Sequence, residues 1–135
     1  MINYGFTKEL KLPFEDVIEM VTARLADEGF GILTKIDVRE KFKEKLGIEF
    51  MKYVILGACN PANARSAILA ERDIGLMLPC NVIVYEKDDV TVISVIKPTV
   101  AMQMVNNNNL KEIAAKVETK LGKVFDSITE KGAVK

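Results

Sequence analysis

At 135 residues the chain has the commonest length of a single domain, long enough to bury most of its apolar surface and too short for two independent cores. Hydrophobic residues make up 49% and charged residues 28%, which excludes the charge-rich, apolar-poor composition of a disordered chain. Nineteen basic residues balance nineteen acidic ones, so no basic stripe exists to displace counterions from phosphates, and nucleic acid is not an expected partner.

One domain spanning 1–135 is therefore the expectation. Residues 3–12 alternate loosely and carry Tyr4, Phe6 and Thr7, the pattern of a first strand. Pro13 suits the first position of a helix because its missing N–H is harmless there. Phe14, Val17, Ile18, Val21 and Leu25 then recur at helical spacing up to Glu28, and Gly29 ends the run. Residues 30–36 predict a second strand. Asp37 and Glu40 resemble a capping box that opens a short charged helix, with Val38, Phe42 and Leu46 as its buried side and Gly47 as its stop.

Residues 51–58 are apolar and β-branched enough for a third strand. Asn60-Pro61 is an N-cap followed by a first-turn proline, which starts a small-residue helix through Ala62, Ala64, Ala67 and Ile68. The apolar connector Ile74-Gly75-Leu76-Met77-Leu78-Pro79 is too short for a helix and too punctuated for a central strand. Residues 81–85 and 90–96 are two apolar runs joined by Glu86-Lys87-Asp88-Asp89, a hairpin pattern, and residues 100–105 predict a further short strand. In the tract 106–109, Asn109 stands three residues before Glu112 and is the expected cap of a long last helix. Leu110, Ile113, Ala114, Val117, Leu121, Val124, Phe125 and Ile128 make its apolar face, reaching about Glu130, with a frayed tail from Gly132. The fold class expected is α+β, a mainly antiparallel sheet packed on a long C-terminal helix.

The residues that are missing narrow the chemistry. Without histidine the chain has no Ser-His or Cys-His nucleophile pair and none of the usual catalytic zinc shells, so any reaction must rest on Cys, Asp, Glu, Lys, Tyr or backbone groups. No apolar run approaches a membrane span and no secretory signal opens the chain; a cytoplasmic location is expected, with Cys59 and Cys80 as reduced thiols. Lys41, Lys43 and Lys45 are interleaved with Glu40, Glu44 and Glu49, which is a solvated helix face.

Two Cys-Asn pairs are the candidate site. Cys59-Asn60 ends one strand and begins a helix, where the dipole favours a thiolate, and Cys80-Asn81 begins the next strand. If those strands are antiparallel neighbours, the thiols share one end of the sheet. The bland alternative is that both are small buried residues. Their spacing is not C-x-x-C, and two cysteines close a four-ligand zinc site only if a second subunit supplies the rest, so no metal site is expected. Glu71 offers a base or ligand anchor beside Arg72 and Asp73, or merely a solvated charge. Met51, Met77, Met102 and Met104 are adaptable pocket liners or plain core.

The stretches Leu56-Gly57-Ala58-Cys59-Asn60-Pro61, Ala70-Glu71 and Asp73-Ile74-Gly75-Leu76-Met77-Leu78-Pro79-Cys80-Asn81-Val82 resemble the family catalogued as domain of unknown function number 302. The resemblance covers almost the whole chain. It implies a TATA-binding-protein-like or helix-grip fold, in which a curved sheet holds a long helix, and a homodimer; it supplies no established activity and no cofactor. Three functions compete on these residues. One is a dimeric domain binding a small, partly apolar molecule, with Cys59, Asn60, Glu71, Cys80 and Asn81 as the polar end of the pocket. Another is thiol redox or sulfur handling, with Cys59 reactive and Cys80 resolving. The last is a ligand-free structural or regulatory dimer joined through the connector 74–78.

Overall fold

The computed structural model describes residues 2–131; the tail from Gly132 lies outside them. Five strands alternate with helices: β1 (Gly5–Leu10), α1 (Phe14–Asp27), β2 (Gly31–Asp37), α2 (Val38–Leu46), β3 (Tyr53–Cys59), α3 (Pro61–Ala70), a 3-10 segment (Arg72–Met77), β4 (Cys80–Lys87), β5 (Val90–Ile96), α4 (Pro98–Ala101) and α5 (Asn108–Ser127). The strands form one curved, open sheet in the order β1-β5-β4-β3-β2, with every neighbour antiparallel. The β4–β5 hairpin turns at Asp88, whose φ of 56° is a left-handed conformation that aspartate tolerates.

Period-two alternation sends Val54, Leu56 and Ala58 of β3, Val82 and Val84 of β4, and Ile93 and Val95 of β5 to one face. There they meet the apolar stripes of α1 (Phe14, Val17, Val21, Leu25) and α5 (Val117, Leu121, Val124) in the main core. A smaller second cluster, Ala67, Ile74, Met102, Leu110 and Ala114, lies under α3 and the N-terminal half of α5. The opposite face of the sheet forms a broad groove lined by Tyr53, Asn81, Ile83, Tyr85, Ser94 and Ile96. In that groove the rings of Tyr53 and Tyr85 stack 5.2 Å apart.

Several sequence expectations are corrected. Residues 100–105 are not a strand: Pro98 occupies a first-turn position and starts α4, with Val100 and Ala101 donating to the Lys97 carbonyl. The cap of α5 is Asn107 rather than Asn109, because Asn107 accepts from the Leu110 N–H (3.1 Å) while its own amide donates to Ala70 O (2.7 Å) and Glu71 Oε1 (3.0 Å). Those tertiary bonds select one asparagine out of four. The connector is a 3-10 segment with Ile74 buried; among its other side chains Leu76 is 91% exposed, so the segment as a whole is not a bare apolar strip. Helix α2 buries none of its residues. It follows the edge strand β2 without a loop and stays outside both clusters; Phe42 packs edge-on against Phe50 at 4.9 Å instead. Its cap is as expected, Asp37 accepting from the Glu40 N–H at 3.0 Å.

Candidate functional site

Antiparallel pairing of β3 with β4 sets Ala58 opposite Cys80. Cys59 is the next residue, so both thiols stand at one end of the sheet. The ~5 Å spacing of paired residues and the ~3.3 Å rise place their Cα atoms about 6 Å apart. Cys80 also borders an adjoining depression together with Met77, Asn81 and Met102.

Cys59 and Cys80 both line a cleft at the seam between the core clusters. Phe30, Ala58 and Val117 bound it on the main-core side, and Ala67, Met102, Leu110 and Ala114 on the other. Its roof is the first half of α3. That helix starts where it does because Asn60 Oδ1 accepts from the Asn63 N–H (3.2 Å) and Pro61 fills the first turn. Ala64 and Ala67, small residues facing the sheet end, leave the space open. The cleft holds about 40 Å³, far below the ~300 Å³ of a metabolite pocket and enough for an ion or a few atoms.

Its polar groups are few. Cys59, Cys80, Asn60 and Asn63 line it, and all else is apolar apart from backbone. The Asn63 amide nitrogen, Nδ2, is buried and has no hydrogen-bond partner among the described residues. Leaving such a donor unmade costs about 1–3 kcal/mol. Burial pushes the Cys80 thiol up to about 11, with the neighbouring Cys59 adding to the rise. At neutral pH Cys80 is thus an uncharged thiol, which weighs against a free thiolate in disulfide exchange.

Of the residues singled out from sequence, Cys59, Asn60 and Cys80 meet at the cleft. Asn81 is not among the lining residues of the cleft: it sits exposed between the groove of Ile83 and Tyr85 and the depression that it shares with Cys80, Met77 and Met102. Glu71 is not among them either: it lies at the far end of α3, about 16 Å of helix from Asn60, and holds the α5 cap through Asn107. Asn63 is the residue that sequence reasoning missed. Its signal was its place three residues after the N-cap, where a capping box carries Glu or Gln. Among the methionines, Met102 is buried at the cleft wall and Met77 packs on the second cluster, while Met51 and Met104 are exposed. Among the described residues no three His, Cys, Asp or Glu side chains gather to hold a metal ion, and no helix is long and apolar enough to cross a membrane.

Comparison with known proteins yields a consistent picture. The profile of the family described as "Domain of unknown function DUF302" matches residues 6–128. A solved structure, described as the crystal structure of uncharacterized conserved protein DUF302 from Bacillus stearothermophilus, is similar with a TM-score of 0.86 and 36% identity, covering 93% of this chain and 98% of that one. No curated protein matches.

Proposed function

Because this chain belongs to the family of domains of unknown function DUF302, a description that names no activity, we propose its function from its own geometry: it is a small-ligand-binding domain whose site is the Cys59–Cys80 cleft. The observation that carries this reading is the buried, unpartnered Asn63 Nδ2 in a cleft otherwise walled by apolar groups and two thiols. A ligand that accepts one hydrogen bond from Asn63 and lies against the sulfurs relieves the desolvation of that donor. The polar end is Cys59, Asn60, Asn63 and Cys80; Glu71 supports the scaffold through the Asn107 cap.

Native mass spectrometry of the freshly purified, reduced chain tests this. The reading expects a mass above that of the bare chain, lost in Asn63→Ala and after alkylation of Cys80. A bare mass in every preparation, together with equal alkylation rates before and after denaturation, sinks it.

The domain acts as a homodimer in this reading. Support comes from Leu33 and Ile36 on β2 and from Leu46, Ile48 and Met51 around α2, five large apolar side chains left exposed along one edge-strand-to-helix segment. The connector is a weaker candidate surface, since Ile74 is inside. Light scattering at micromolar concentration decides: a mass of two chains is expected, and a mass of one removes the dimer.

A further inference from the structure

Resting on that reading of the cleft, we infer that its ligand is a single soft monovalent metal ion, Cu(I), held by the sulfurs of Cys59 and Cys80 with the Met102 thioether as third donor. The cleft is sized for an ion, at about 40 Å³. Cys59, Cys80 and Met102, the three sulfur-bearing residues of its lining, border it together, and Cys80 and Met102 also share the adjoining depression with Met77. Thiolate and thioether are the donors that select Cu(I) over hard cations. Neither Asp nor Glu is among the lining residues, which removes the oxygen donors that Mg(II) or Ca(II) needs.

The sequence argument against a metal was an argument against zinc, which wants four ligands. Cu(I) is satisfied by two thiolates, or by two and a weak third, and two adjacent cysteines supply that. Binding converts two thiols and Cu(I) to a bis-thiolate complex and releases two protons to solvent, with no change of oxidation state.

The test is an anaerobic titration of the fully reduced chain with Cu(I) against a chromogenic Cu(I) chelator. One ion per chain is expected, with thiolate-to-Cu(I) charge-transfer absorption in the ultraviolet and a sulfur-only first shell by X-ray absorption. Apparent affinity should rise with pH, because two thiol protons are released on binding. Cys59→Ser and Cys80→Ser should each lose more than about a hundredfold, and Met102→Leu less than either cysteine variant. Chelator that strips wild-type chain quantitatively, serine variants that bind as tightly as wild type, or oxygen or nitrogen in the first shell would overturn the assignment. If Cu(I) fails while an added mass is still lost in Asn63→Ala, the metal falls and the cleft reading stands; if both fail, both fall.

Discussion

Asn63→Ala should make the ligand-free protein more stable while removing its binding. In the folded chain the amide nitrogen is buried without a partner, which costs about 1–3 kcal/mol relative to the same group in water. Alanine in the first turn of α3 adds a few tenths of a kcal/mol in helix propensity. Against this stands the packing lost when the amide is removed, which offsets part of the gain because Asn63 sits on the wall of a cleft of only about 40 Å³. The balance is a gain of about 1 kcal/mol, or a rise of about 3–5 °C in Tm for a domain of this size. Urea unfolding of reduced, chelator-washed wild type and variant measures it, with an unchanged m-value confirming that stability rather than compactness moved. A loss of more than about 1 kcal/mol would mean that the amide makes a bond in the folded chain, and the argument from an orphaned donor would collapse.

Other consequences are as direct. The Cys80 proton is held up to about 11 in the folded chain against an ordinary value of 9.0, so this contribution to stability is complete below pH 9 and is lost as the pH rises toward 11. The loss amounts to about 2–3 kcal/mol and is absent in Cys80→Ala; a wild-type stability curve parallel to that of the variant over pH 8–11 would contradict the burial of the thiol. Leu121→Ala, at a position with no exposure in the main core, should cost about 2–5 kcal/mol by thermal or urea unfolding, and a loss below about 0.5 kcal/mol would mean that the α5 stripe is not buried. Asn107→Ala removes a helix cap and two tertiary bonds and should cost about 1–2 kcal/mol, whereas Asn109→Ala should be near neutral; the reverse order would restore the sequence-based cap.

Much of this architecture was legible because neighbouring residues agreed. The 3.6-residue stripes of α1 and α5, the Asp88-Asp89 turn and the Asn60-Pro61 cap are local signals that the tertiary structure reinforces. The shared end for Cys59 and Cys80 followed from a single inference, that a hairpin implies antiparallel neighbours. What escaped reading depended on partners distant in sequence. Asn107 was chosen over Asn109 by Ala70 and Glu71, and α2 kept its amphipathic spelling although no core surface reached it. Asn81 was assigned to the cleft by its adjacency to Cys80, but it borders the groove and the depression instead. Asn63 required knowing that the small face of α3 roofs a gap, a fact about the two core clusters and not about the segment 60–68.

The most direct test of the cleft as a ligand site is an electron-density map of reduced protein crystallised without added ligand or chelator. The account predicts density in the gap between Cys59 and Cys80, with an atom within hydrogen-bond distance of Asn63 Nδ2. A closed gap, with that amide bonded to a protein carbonyl and both thiols packed as ordinary core, would contradict it.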